Sequence, residues 1–245
     1  MTGSHALPAD PPTVYVTGAG GAVAPVMATA FLDRGWRAVL FVRPGAERTA
    51  LTTTPRLERG AVDGRVTVLG ADLLSESDAA RAFHTAAERM GHCDALLNVA
   101  GGFAMTPAER GTGADLEAML DVNLRTAVNA TRAVLAGMLE RGSGFVMAVG
   151  AGAALSPAPG RTDYAAAKAA VAAYFASLAA EVGERGVNVA VLHPMGTIDT
   201  PANRSAMPSA DPSGWITREA LADAAVYLAT RPRGGWVHEL RVHAR

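Results

Sequence analysis

The sequence predicts a single-domain α/β fold: a doubly wound parallel sheet of about seven strands with helices on both faces. Three observations predict it. There are seven short, mostly β-branched apolar runs, most are separated by stretches long enough for a helix, and a glycine-rich turn follows the first run directly. Runs that are apolar on successive residues imply strands buried on both faces, as in a parallel sheet between two helix layers. The length agrees, because 245 residues with 49% hydrophobic content suit one large α/β core.

Residues 1–12 are polar and proline-rich without an apolar stretch, so a flexible tail is expected there and the folded domain spans 13–245. Thr13 to Thr17 is the first strand. It ends in Gly18-Ala19-Gly20-Gly21, and an alanine-rich segment with helical spacing runs to Arg34, closed by Gly35. Arg37 to Val42, Arg65 to Leu69, Asp94 to Asn98, Gly144 to Val149, Val187 to Leu192 and Trp236 to Val242 are the remaining strands. Helices with alanine-rich outer faces are expected around Asp115 to Glu140 and Thr162 to Glu184. From Thr200 to about residue 217, Pro201, Pro208 and Pro212 interrupt any helix, and this loop is expected to cover a substrate. The βαβα rhythm with right-handed crossovers makes the domain Rossmann-type.

Composition excludes several functions. A formal net charge of -1 and a pI near 6.6 offer no basic field for nucleic acid and no polybasic anchor for an anionic membrane. The single cysteine, Cys93, cannot close an internal disulfide, and no Cys/His cluster has metal-ligand spacing, so no metal is expected and a reducing cytoplasm fits. The uncharged run from Gly142 to Gly160 reads as strand plus loop, because its glycines and prolines break a membrane span.

Two patterns carry chemistry. The turn after the first strand puts small residues where a helix N-terminus presents free amides, a site suited to a pyrophosphate; a tight turn needing glycine only for its backbone would look the same. Arg43 stands about 25 residues past Gly18, at the end of the second strand. An acid there would bind the ribose hydroxyls of NAD, whereas arginine accommodates a 2′-phosphate, so NADP(H) is favoured over NAD(H). The second pattern is the only lysine, Lys168, four residues after Tyr164 in a chain otherwise supplied with arginine. On a helix these positions share a face, and a nearby cation is expected to lower the tyrosine pKa toward neutrality, where it exchanges a proton. A solvated lysine beside a half-buried tyrosine would show the same spacing.

In order and spacing these segments resemble the short-chain dehydrogenase/reductase family from about Thr13 to the C-terminus. The glycine turn is followed by Asp72-Leu73 after the third strand, Asn98-Val99-Ala100-Gly101 after the fourth, Asp121-Val122-Asn123-Leu124, and Tyr164-Ala165-Ala166-Ala167-Lys168. The resemblance implies that Tyr164 is the general acid that protonates a carbonyl oxygen as hydride arrives. Lys168 would lower its pKa and bind the nicotinamide ribose, and Asn123 would hold a relay water. Asn123 could instead cap or bridge a helix kink. The implied cofactor set is Thr17, Gly18, Gly20, Gly21, Val23, Arg43, Asp72, Leu73, Asn98, Ala100, Gly101 and Lys168, with Pro194, Gly196 and Thr197 after the sixth strand. Gly102, Phe103, Ala151 and Tyr164 would face a small-molecule substrate. The resemblance also implies a homotetramer or homodimer through the alanine-rich helices. His193, a lone histidine at a strand end, stays outside the catalytic set.

The chain departs from the family pattern at informative points. Ala151 stands thirteen residues before Tyr164, at the family's catalytic serine, and Ala22 and Ala24 stand at the second and third glycines of the turn. Alanine for serine, the run Ala100-Gly101-Gly102-Phe103 and the stretch Ile198 to Met207-Pro208 with a following Trp215 resemble the dihydropteridine reductase branch. That branch passes hydride to a quinonoid pterin, but it prefers NADH and has an acid where Val42 and Arg43 stand here. The expectation is therefore an NADP(H)-dependent oxidoreductase that reduces a small planar carbonyl, quinonoid or imine substrate. The alternatives are a non-redox dehydratase, isomerase or cyclase on the same scaffold, and a catalytically silent partner subunit.

Overall fold

The computed structural model describes residues 11–52, 54–156 and 158–244. The expected tail therefore lies outside the described residues as far as residue 10, while the Pro12 carbonyl already accepts from Arg37 N–H at 2.8 Å. Seven strands form one sheet: β1 (Thr13–Thr17), β2 (Arg37–Val42), β3 (Val66–Gly70), β4 (Ala95–Asn98), β5 (Gly144–Val149), β6 (Val187–Pro194) and β7 (Glu239–Val242). Their spatial order is β3-β2-β1-β4-β5-β6-β7 and every pairing is parallel.

Strand alternation divides the apolar residues between two cores. Val14, Val16, Ala38 and Leu40 pack with α1 (Ala24–Leu32), α2 (Glu47–Leu51), α3 (Pro55–Val62) and α9 (Arg218–Ala229) on one face. Tyr15, Val39 and Phe41 pack on the other face with α4 (Glu76–Met90), α6 (Thr126–Arg141) and α7 (Thr162–Val182). Both faces are covered, so β1 is buried at all five positions and reads as an unbroken apolar run. Cys93 is buried in the second core, and burial pushes its thiol pKa well up, which leaves it a packing residue rather than a nucleophile.

Three elements differ from expectation. The segment from Asp115 to Glu140 is not one helix: α5 (Gly113–Leu120) and α6 are joined through a π-turn at Asp121–Arg125, whose extra residue the 3.6 period does not reveal. The last strand starts at Glu239 rather than Trp236, because a 3₁₀ turn at Arg233–Gly235 precedes it. The loop after β6 is not helix-free. Pro201 occupies the first turn of α8 (Pro201–Ala206), where its missing N–H costs nothing, and Thr200 caps that helix by accepting from Asn203 N–H at 3.2 Å. A bridge between Ile198 and Ile216 ties the two ends of the loop together.

Candidate active site

The chain builds β1, β2 and β3 outward in one direction, then crosses back to place β4 on the other side of β1. Loops leaving β1 and β4 therefore diverge at their carboxyl ends and open a crevice, the usual ligand position in such sheets. Thr17, at the end of β1, turns its hydroxyl across this gap and accepts from Val99 and Ala100 N–H, both at 3.1 Å. It is a strut between two strands. Gly18 follows with φ +73°, and a Cβ there would lie 2.7 Å from Ala100 N and Cα, so only glycine lets the two turns close up. At Gly20 a Cβ would point into open space, and α1 begins beyond Val23 with no side-chain cap and no acid in its first turn. Free amides facing an open space at a switch point fit a dinucleotide pyrophosphate, even with Ala22 and Ala24 in the turn.

The residues expected at the reacting end come together from three elements. Tyr164 and Lys168 lie one turn apart on α7. The π-turn carries Asn123, buried to 2% exposure, so that its amide brackets Gly102: Oδ1 accepts from Gly102 N–H at 3.2 Å, and Nδ2 donates to Gly102 O and Met119 O at 3.0 Å each. Gly101 lies between the two side chains, for a Cβ on it would sit 2.9 Å from Asn123 Oδ1 and 3.6 Å from Lys168 Nζ. Phe103 meets Tyr164 edge to face, with ring centroids 4.9 Å apart. Asn123 Oδ1 and Nδ2 are committed to backbone groups, which makes this side chain a clamp on the β4 turn.

The expected electrostatics of Tyr164 are reversed. Burial raises its pKa, and the cation that opposes the rise is Arg161, not Lys168. Lys168 donates to Val149 O at 2.8 Å, at the end of β5, and burial pulls its pKa from 10.5 down to about 8. Desolvation disfavours the charged form of both groups, so it raises the phenol and lowers the ammonium. The unfolded chain then binds more protons than the folded one between pH 8 and 10.5, and stability rises with pH across that window. Below it the cost is constant, on the order of 3 kcal/mol. Lys168→Met is expected to be more stable than the native chain at neutral pH and to lose that advantage toward pH 10.5. Urea midpoints measured across this range check it, and midpoints that stay apart would show that the ammonium is not desolvated.

Ala151 is buried to 7% exposure and opens the 3₁₀ turn Gly152–Ala154, which packs against α7. Its carbonyl lies 3.3 Å from His193 Nδ1, and desolvation lowers the pKa of that buried imidazole. The neutral ring donates from Nδ1 and so holds the chain that links β5 to α7. His193 is a satisfied backbone donor in the wall of the crevice, as a lone histidine at a strand end is expected to be, although its partner, 42 residues away, is not legible in the sequence.

A family model described as short chain dehydrogenase matches residues 12–210. The chain belongs to the short-chain dehydrogenase family. It is 31% identical over 185 residues to an acetoacetyl-CoA reductase of Allochromatium vinosum, covering 76% of this chain and 74% of that one. A short-chain reductase protein, NovJ, of Streptomyces niveus is 30% identical over 247 residues, covering 93% and 90%. Among solved structures, a gluconate 5-dehydrogenase from Burkholderia cenocepacia in complex with NADP and tartrate superposes with a TM-score of 0.84 at 24% identity, covering 96% of this chain and 94% of that one.

Within this short-chain dehydrogenase the other expected residues are spread along the crevice and its margins. Asn98 donates from Nδ2 to Thr131 Oγ1 at 3.1 Å, which anchors the end of β4 to α6. Arg43, Asp72 and Leu73 follow the ends of β2 and β3. Arg43 is exposed, the Asp72 carboxylate accepts from Leu74 N–H at 3.0 Å, and the Leu73 carbonyl accepts from Asn129 Nδ2 at 2.9 Å. Pro194 ends β6 with its carbonyl close to Gly152, where a Cβ would lie 3.3 Å away. Gly196 instead approaches Ala244, and Thr197 O accepts from Ile216 N–H at 2.8 Å, so both also serve the base of the loop. Among the described residues no group of three His, Cys, Asp or Glu side chains could hold a metal ion. The helical segment Thr162–Arg185 is long and apolar enough by length and composition to cross a membrane, but Val171, Phe175, Leu178 and Val182 spend its apolar face on the core.

Proposed function

We propose that this short-chain dehydrogenase is an NADP(H)-dependent reductase of a small planar carbonyl, quinonoid or imine substrate, with Tyr164 as the proton donor. The observation that carries the reading is that Lys168 and Asn123 flank Gly101 at the carboxyl end of β4, beside the open glycine turn, with Tyr164 one turn from Lys168 on α7 and in edge-to-face contact with Phe103. Bound NADPH supplies the hydride. Tyr164, a protonated phenol at neutral pH whose acidity burial lowers further, gives its proton to the atom that gains negative charge. Lys168 and the amides of the glycine turn before α1 hold the anionic and ribose parts of the cofactor.

Arg43 supports the phosphorylated cofactor. Its side chain is exposed and makes no ion pair among the described residues, while Glu47, the acid of the same segment, is held by the Gly45 N–H at 3.2 Å. The neighbour solved in complex with NADP points the same way. Titration with NADPH and NADH, followed by turnover with ketones, quinones and quinonoid dihydropterins, tests the proposal; affinity no better than millimolar for both cofactors would end it. Ala151, which lacks the family hydroxyl, favours a second reading as a non-redox dehydratase, isomerase or cyclase. Transfer of deuterium from labelled NADPH into product excludes that reading.

We further propose that α7 pairs with a second copy. Ala166, Ala169, Ala173, Ala176 and Ala180 are exposed on it at alternating spacings of three and four, a seam of small side chains that allows close helix approach. Light scattering is expected to give a multiple of 25.1 kDa for the native chain and a smaller species for Ala173→Glu. A native mass of 25.1 kDa would remove the proposal.

A further inference from the structure

Arg161 opens α7, three residues before Tyr164, and its side chain caps nothing. Its guanidinium lies over the Phe103 ring at 5.7 Å from the centroid, and that same ring meets Tyr164 edge to face. Among the described residues no carboxylate pairs with it. Other arginines around the site do have partners: Arg125 pairs with Asp121 at 2.9 Å and Arg204 with Asp199 at 2.6 Å. Asp163, two residues on, approaches Gly111 instead, its Oδ2 3.5 Å from where a Cβ would stand. The result is a cation with a full set of N–H donors, pinned by an aromatic face one ring away from the phenol.

The surroundings of that cation are apolar. Phe103 is 55% exposed and Met105 58%, and the Met105 methyl reaches the turn at Gly160 just before Arg161, 3.2 Å from a Cβ there. Large exposed apolar side chains beside an unpaired guanidinium match a ligand with a flat apolar body and an anionic end. Such a handle also answers a need of the site. Ala151 offers no hydroxyl to orient the reacting group, so orientation has to come from contacts elsewhere on the substrate.

We propose that Arg161 is a specificity residue that binds an oxyanion, a carboxylate or a phosphate, carried by the substrate, with Phe103 as the apolar wall joining that anion to the reacting end at Tyr164. The inference rests on the reductase reading and narrows its substrate class to anionic carbonyl or imine compounds. Nothing along the chain singles out Arg161. Its spacing to Tyr164 puts both on one helix face, but only the fold brings Phe103 between them.

The test compares pairs of ketones that share a carbonyl and differ in charge: acetoacetate against ethyl acetoacetate, and 2-oxopropylphosphonate against its diethyl ester. In Arg161→Gln the ratio of kcat/KM, anion over ester, is expected to fall by about 10- to 100-fold, mostly through KM, and Arg161→Lys is expected to restore part of it. Any effect of Arg161 on the acidity of Tyr164 acts on both members of a pair and cancels in the ratio. The larger loss in the carboxylate or the phosphonate pair identifies the preferred oxyanion. An unchanged ratio in both pairs overturns the proposal. Calorimetric titration of acetoacetate and methylphosphonate, with and without NADP⁺, separates the two readings. Anion binding that Arg161→Gln abolishes, without turnover of any ketone, keeps the anion site and removes the reductase. Turnover of the esters without binding of either anion does the reverse, and the absence of both removes both.

Discussion

Tyr164→Phe is expected to lower kcat for carbonyl reduction by about 100- to 10,000-fold, the usual contribution of a positioned proton donor. Phenylalanine keeps the edge-to-face contact with Phe103, at 4.9 Å between centroids, so the loss isolates the hydroxyl. NADPH affinity should hold, because the cofactor amides lie at the other end of the crevice, in the turn before α1. The pH dependence adds a second signature. With NADPH saturating, so that the loss of the Lys168 proton from about 8 upward does not limit binding, burial that raises the phenol above its ordinary value of 10.0 should keep reduction, which needs the protonated form, level from neutral pH to about that value. Oxidation of the product alcohol needs the phenolate and should climb about tenfold per pH unit over the same range. Stopped-flow measurement in both directions checks this, and a phenylalanine variant that keeps half its turnover would show that the proton comes from elsewhere.

Gly18→Ala should produce a large stability loss. Its φ of +73° costs an L-residue about 1–2 kcal/mol. The new methyl would also press on Ala100 N and Cα at 2.7 Å, where backbone atoms cannot swing aside. Such overpacking adds about 1–3 kcal/mol, a large part of the roughly 5–15 kcal/mol by which a domain is stable. A fall in Tm of about 5–15 °C follows for a domain of this size. Gly20→Ala is the control. A Cβ there meets nothing within 4 Å, so stability should be kept while NADPH affinity falls, because the methyl enters the space the pyrophosphate would take. Equal melting temperatures for the two variants would mean that the close approach of the β1 and β4 turns does not govern this region.

Much of the fold was legible because its signals are local. A strand buried on both faces must be apolar at successive positions, and the runs at Val14 to Val16, Val39 to Phe41 and Val189 to Val191 announce themselves in any parallel sheet. The glycine turn and the Tyr164–Lys168 offset were readable for the same reason, since each is a property of neighbours along the chain. The π-turn was hidden because one extra residue in a helix leaves no apolar period behind it. The helix at Pro201 was misread because proline breaks a helix only in its interior, and boundaries are not visible without the cap made by Thr200.

By itself the sequence determined which segments would be buried strands, which would be helices, and that a lone lysine would lie one turn from a tyrosine. Only the tertiary structure decided which way the pKa of each group moves. A phenol raised and an ammonium pulled down to about 8 are consequences of desolvation by atoms from remote segments, and the same closure commits Lys168 to Val149 and Asn123 to Gly102. Electrostatics in a folded chain depends on what surrounds a group in three dimensions, and spacing along the chain cannot report it.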